Sequence, residues 1–372
     1  MSAATPVDVV VIGGGIVGAA CARAMAMEKL RVVLVEASDV GAGATAAGMG
    51  HIVAMDDSEA QFALTSYSAG LWRAAQPSLP ATVEYEACGT LWIAADAEEM
   101  GAVRAKQAFY AQRGVMAEIL DEKALRDAEP NLRAGLAGAL LVSADSVVYA
   151  PCAAHWLAEE ARLRGAWIRQ GVEAIAIEAG LVKLSDGSMV SAGAVVVAAG
   201  TASAKLIPGL PLRPRKGHLA ITDRYPDFAR HQLVELGYLK SAHGHDNESV
   251  AFNIQPRSTG QVLIGSSRQY DAPSGREIDP PILARMLRRA FEYMPRLAEL
   301  SVIRTWTGFR AATPDSLPII GRVADRLWTA TGHEGLGITT SLGTAQLLTD
   351  QLLGRACAIP AEAYSPARFA AP

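Results

Sequence analysis

The sequence predicts an α/β chain of two interleaved parts, a doubly wound parallel-sheet domain and an α+β second domain built on a mostly antiparallel sheet. Three observations carry this expectation. The chain opens on a strand, glycine turn, helix and strand; two further strand-and-helix stretches of the parallel type follow much later; and short segments of alternating apolar and polar residues lie between them. At 372 residues the chain exceeds the size at which a single core keeps growing, and with 50% hydrophobic and 19% charged residues it can bury a large one.

The opening unit reads as a strand over 8–12, a turn over 13–18, a helix over 16–28 and a strand over 31–36. Val9, Val10, Val11 and Ile12 form an unbroken apolar run, the mark of a parallel strand covered on both faces. A second parallel fragment comprises a helix over 152–164, strand character over 167–177, a hairpin through Asp186 and Gly187, and an apolar strand over 194–198. A third has a strand over 327–331, a loop over 332–337 and helical periodicity over 338–353. Between these, 88–95, 216–222, 250–255, 261–267 and 301–310 alternate as half-buried strands do, with a hairpin turn at Ser258, Thr259 and Gly260. Amphipathic helices over 98–112 and 280–293 would cover the outside of this second sheet. The resulting division assigns 1–84, 146–215 and 315–372 to the first domain and 85–145 and 216–314 to the second.

Charge and cysteine usage narrow the function. Against 38 Asp+Glu stand 34 Lys+Arg, a net charge of -4, so no positive field draws a phosphate backbone and nucleic acid is not an expected partner. The first ten residues lack the basic start of a signal peptide, which leads to the expectation of a cytoplasmic protein. The longest apolar stretches, 7–22 and 190–202, are interrupted by glycines, so no membrane span is expected. Cys21, Cys88, Cys152 and Cys357 form no C-x-x-C pair and read as buried reduced thiols; no metal is expected, and His243 and His245 read as part of a solvated loop.

Gly13-x-Gly15-x-x-Gly18 is the strongest signal, because it sits between a strand and a helix and Glu36 ends the next strand eighteen residues later. The first glycine can make the tight turn, the second can admit a pyrophosphate, and the third lets helix and strand approach. The helix N-terminus favours the phosphates. Glu36 would accept from both hydroxyls of an adenosine ribose and repel a 2′-phosphate, which disfavours NADP and leaves FAD or NAD. Directly afterwards, residues 41–51 form a loop of small residues with room for a backbone to run against phosphates and a flat ring.

With that loop the chain resembles the glycine oxidase and D-amino-acid oxidase family of FAD-dependent flavoproteins, and the resemblance covers nearly its whole length. The stretch Val195-Val-Val-Ala-Ala-Gly200 looks like the family's strand that ends beside the cofactor; Thr313-Pro-Asp315-Ser-Leu-Pro318-Ile-Ile-Gly321 and Gly332-His-Glu-Gly335-Leu-Gly337-Ile-Thr339 resemble its C-terminal flavin motifs. The resemblance implies that FAD is held by Gly13, Gly15, Ile16, Val17 and Gly18, with Glu36 and Ala37 on the ribose side. It extends the cofactor set through Ala44, Thr45, Ala47, Gly48 and Met49, then Val172, Ala199 and Gly200. His333, Gly335, Leu336, Gly337, Ile338 and Thr339 would present a helix N-terminus to the flavin pyrimidine, where reduction creates negative charge. Gly308 stands where the sarcosine oxidase branch has a flavin-linking cysteine, so the resemblance implies noncovalent FAD.

For the substrate, the resemblance implies that Arg310 is a carboxylate-binding arginine, whose planar fork can fix a carboxylate in two places. His51 is expected beside the flavin ring, His218 in strand structure, and Asn253 where glycine oxidases carry a substrate-contacting tyrosine, a departure that weakens glycine as the substrate. Residues 49–57, 265–269 and 332–341 look closest to the flavoprotein subunit of D-hydroxyproline dehydrogenases and opine oxidases. That implies FAD-dependent hydride transfer from Cα of a D-amino acid or cyclic imino acid to flavin N5, electron-accepting partner subunits or a carrier, and room for a homo-oligomer. The alternatives are a peroxide-forming glycine or sarcosine oxidase and a flavin-binding subunit of an opine oxidase complex.

Overall fold

A computed structural model describes residues 7–237 and 248–369, and His243 and His245 lie outside them. The architecture is mixed α/β. Among the described residues eight strands form the first sheet, with Ile319–Ala324, Leu327–Thr331, Met189–Val197, Val7–Ile12, Val32–Val35 and Trp167–Arg169 in that order across it. The five from Leu327–Thr331 to Trp167–Arg169 are parallel, and the chain visits them from three distant parts of the sequence. Val9 and Val11 belong to the core on one face and Val10 and Ile12 to the core on the other, which is why that strand is apolar at every position. The helices Ile16–Met27, Ala150–Leu163 and Gly337–Leu352 pack on the first of those faces.

The second sheet also has eight strands among the described residues, ordered Val302–Ala312, Arg213–Thr222, Val262–Gln269, Glu248–Pro256, Gln232–Glu235, Thr90–Ala94, Gly138–Val142 and Glu118–Asp121. It is antiparallel except where Gln232–Glu235 runs parallel to Thr90–Ala94. Helix Pro280–Tyr293 lays Met286 and Ala290 on one core of this sheet, and helix Ala97–Gln112 lays Val103 and Tyr110 on another.

Three expectations change. The single strand region over 167–177 is two strands, because Gly171 turns the chain at φ +73° and Val172 donates its N–H to the Glu36 carbonyl. A helix, Glu59–Ala75, occupies a stretch in which no element was expected; its buried face includes Thr65 and Ser68, which blur the apolar period. Of the four cysteines, all free, only Cys21 is buried and the other three are half-buried.

Candidate active site

A cavity of about 540 Å³ opens where the carboxyl ends of the parallel strands meet the second sheet, lined by Ile12, Val35, Ala198 and Ala330 from the first and Leu219, Asn253, Ser266 and Arg310 from the second. Open parallel sheets place ligands at such an edge. Glycine makes it possible. Gly13 turns at φ +104°, and a Cβ there would stand 2.6 Å from the Ala198 carbonyl oxygen; a Cβ on Gly18 would stand 1.8 Å from that of Gly13. The third glycine thus allows the helix to touch the strand, as its spacing predicts.

Of the residues expected at the cofactor, Gly13, Gly15, Ile16, Val17, Glu36 and Ala37 line this cavity. So do Ala44, Thr45, Ala47, Gly48 and Met49, together with Ala199, Gly200, Gly308, His333, Gly335, Gly337 and Ile338. Four do not line it. Gly18 lies behind the turn, Val172 is held on the Glu36 carbonyl, Leu336 packs into a neighbouring core, and Thr339 donates its hydroxyl to the His51 carbonyl at 2.8 Å. Thr339 and Leu336 therefore shape the loop from behind.

The Glu36 carboxylate accepts from Gly14 N–H at 2.6 Å, and from Ser38 N–H and Oγ–H at 2.9 and 3.0 Å, which fixes it at the strand end. The Thr45 hydroxyl accepts the Ile16 N–H at 3.0 Å, so the small-residue loop is tied to the first helix N-terminus. At the other helix N-terminus, Gly337, no side chain caps the N–H groups and no acidic residue sits in the first turn. Trp72 Nε1 donates to the Ile338 carbonyl at 3.2 Å and pins that turn in place.

The end of the cavity formed by the second sheet is built from single side chains. The Arg310 Nη1 donates to the Ser267 carbonyl at 3.1 Å, reaching across the intervening strand at Gly217. A Cβ on Gly217 would lie 2.4 Å from Arg310 Nη1, so the guanidinium rests on bare backbone. Gly217 and Gly308 are cross-strand partners, and a Cβ on Gly308 would stand 2.3 Å from Ala47 Cβ. Side chains at this pair would displace the arginine on one side and the small-residue loop on the other.

His51 lies in the two-stranded ribbon His51–Ile52 with Ser146–Val147 and lines the cavity. Burial pushes its pKa down to about 3, so the ring is neutral, and its Nε2 has no hydrogen-bond partner among the described residues. Burial holds His333 down to about 3 as well, with its Nε2 at 3.0 Å from the Thr344 hydroxyl. His218 is fully buried and structural: its Nε2 accepts the Asp279 N–H at 3.0 Å and its Nδ1 meets Ser267 Oγ at 2.9 Å.

Sequence reasoning missed Gly217, Leu219, Ser266 and Phe309, which also line the cavity, as does Glu334 of the last loop. Gly217 left a signal, since a glycine inside a strand often marks close approach by another group. Glu334 makes a buried ion pair with Arg215, holding the loop before Gly337 against the second sheet. Among the described residues no group of three His, Cys, Asp or Glu side chains is placed for a metal ion, and no helix is long and apolar enough to cross a membrane.

The chain is similar to known proteins over nearly its whole length. The family described as FAD dependent oxidoreductase (DAO) matches residues 8–351. The chain is 29% identical over 386 residues to a glycine oxidase of Pseudomonas aeruginosa, covering 96% of this chain and 98% of that one. It is 27% identical over 331 residues to one of the opine oxidase subunits of Rhizobium meliloti, covering 84% of each. The crystal structure of glycine oxidase from Geobacillus kaustophilus superimposes with a TM-score of 0.88 at 25% identity, covering 98% of this chain and all (100%) of that one.

Proposed function

Because the chain belongs to the DAO family of FAD-dependent oxidoreductases, we propose that it dehydrogenates a D-amino acid or cyclic imino acid, of the D-proline or cis-4-hydroxy-D-proline type, to the imine. The observation that carries this reading is Arg310, anchored to the Ser267 carbonyl over Gly217 in the same cavity as the glycine loops.

The residues present fit FAD. Gly13, Gly15, Gly48 and Gly337 leave the wall free of side chains, Glu36 waits at the ribose end, and the uncapped Gly337 helix faces the cavity. Bound there, FAD supplies the two-electron oxidant for the Cα–H bond. With Gly308 in contact with Ala47, no cysteine is available for a covalent link at that position, and acid denaturation is expected to release the cofactor.

Arg310 would grip the substrate carboxylate in two places and fix the Cα. The neutral His51 adds no positive charge beside the amine. Only a free amine can assist hydride loss, so turnover rises with pH as the substrate ammonium deprotonates. The imine then hydrolyses or cyclises. The opine oxidase relative is by name one subunit of a larger enzyme, and its similarity supports electron transfer to partner subunits or a carrier. We assign 1–84, 146–215 and 315–372 to the cofactor domain, 85–145 and 216–314 to the substrate domain, and the protein to the cytoplasm.

The test is anaerobic flavin bleaching by cis-4-hydroxy-D-proline, D-proline, sarcosine and glycine in turn. Rapid bleaching by the two ring compounds is the expected result. Bleaching by glycine or sarcosine alone, with peroxide formed in air, would replace the reading with the oxidase alternative, and bleaching by none would leave a subunit dependent on its partner.

A further inference from the structure

Besides His51, whose Nε2 has no partner among the described residues, two polar side chains on adjacent strands of the cavity wall have work left undone. Asn253 is 7% exposed and Ser266 4% exposed, and both line the cavity. Asn253 Oδ1 and Ser266 Oγ are buried without a hydrogen-bond partner among the described residues. Groups of this kind are costly to leave unsatisfied, and a folded protein keeps them for a ligand or a bound water.

Their setting says what they would bind. Asn253 is the cross-strand partner of Gly265, the residue before Ser266, and the strand pairing slips between Val250 and Asn253. Over Gly265 the missing side chain is replaced from outside, since a Cβ there would lie 2.8 Å from Leu219 Cδ2 and 3.1 Å from Met49 Sδ. Around Gly265 the wall thus sets the Asn253 amide and the Ser266 hydroxyl against the apolar Leu219 and Met49. Arg310 is already committed to the carboxylate.

Resting on the reading of this site as an amino- or imino-acid dehydrogenase, we propose that Asn253 and Ser266 form a hydroxyl-recognising subsite, making the preferred substrate one with a hydroxyl beyond its Cα. A hydroxyl both donates and accepts, which matches an amide and a serine together. The reacting amine is a poorer match, because a Ser266 hydroxyl donating to it would occupy the lone pair that assists hydride loss. A site built to pair a hydroxyl rejects the analogue that lacks it, because its own buried groups then stay unpaired.

The experiment compares matched pairs on the FAD-loaded protein: cis-4-hydroxy-D-proline against D-proline, and D-serine against D-alanine, each by the anaerobic rate of flavin reduction over its Kd. The hydroxylated member should win by about 10²-fold or more in the wild type. In Asn253→Leu and Ser266→Ala, with flavin content as the check on folding, that ratio should fall towards one, chiefly through a weaker Kd for the hydroxylated compound. Equal use of both members by the wild type would overturn the subsite alone, as would variants that lose both members equally. Reduction by glycine or sarcosine only would overturn the subsite together with the reading it rests on.

Discussion

The two ends of the cavity are made in opposite ways. At the end where we place the cofactor the wall is backbone: Gly13 and Gly15 in one turn, with Gly18 behind it, Gly48 in the next loop and Gly335 with Gly337 in the last, each set local in the chain. At the end where we place the substrate it is side chains sent singly from separate strands, Arg310 from Val302–Ala312, Asn253 from Glu248–Pro256 and Ser266 from Val262–Gln269. Backbone walls are exacting because any added atom meets atoms that cannot turn aside. Side-chain walls can be retuned one residue at a time while the cofactor stays in place.

The severest test of that contrast is Gly18→Val. With a Cβ already 1.8 Å from the Gly13 carbonyl oxygen, the helix must leave the strand; a loss of about 3 kcal/mol or more is expected, with protein that purifies free of flavin. A flavin-loaded variant of wild-type thermal stability would break the comparison.

Next comes Arg310→Lys, which keeps the charge and loses the fork. It should lower kcat/KM by about 10³-fold and leave the flavin content unchanged. Wild-type kinetics would remove Arg310 from the substrate. A subtler probe is Gly217→Ala, whose Cβ would stand 2.4 Å from Arg310 Nη1. Because it moves the arginine without removing it, KM should rise by about 10-fold, with kcat changed less. If flavin affinity falls instead, the two ends are not separable.

The smallest effect concerns pH. His333 is held at about 3 in the fold against 6.5 when exposed, so between these values the unfolded chain takes up a proton that the native chain refuses. Its contribution to stability is therefore present above about pH 6.5 and is withdrawn as the pH falls towards 3. Thermal unfolding of His333→Gln followed from pH 7 to pH 4 should show a flatter decline than the wild type, and parallel curves would count against a neutral buried imidazole.

How much could be read in advance follows the same contrast. The opening βαβ unit, the Leu327–Thr331 strand and the Pro280–Tyr293 helix were legible, since each carries its own period or turn signal. So was the placing of most of the glycine-loop residues around one cavity, because they lie in contiguous stretches. Gly217 and Ser266 were not, because their role depends on which strand lies beside which, and a pairing such as Gly217 with Gly308 spans ninety-one residues of sequence. The Glu59–Ala75 helix escaped for a different reason: Ser68 on its buried face accepts the Gly343 N–H at 3.0 Å, so a polar residue does the work of a packing one.

The first sheet also imposes an order on folding during synthesis. Val7–Ile12 pairs with Met189–Val197, which pairs in turn with Leu327–Thr331, and the Ile16–Met27 helix shares a core with Gly337–Leu352. The Val7–Ile12 strand, once off the ribosome, must wait for Leu327–Thr331 before this part of the sheet closes, and contacts between residues so far apart in the chain form slowly. A nascent chain therefore carries the glycine turn long before the loop of Gly335 and Gly337 exists to complete the pocket. Cofactor capture is expected to be a late event in the protein's life, and chains broken off before residue 337 should be recovered without flavin.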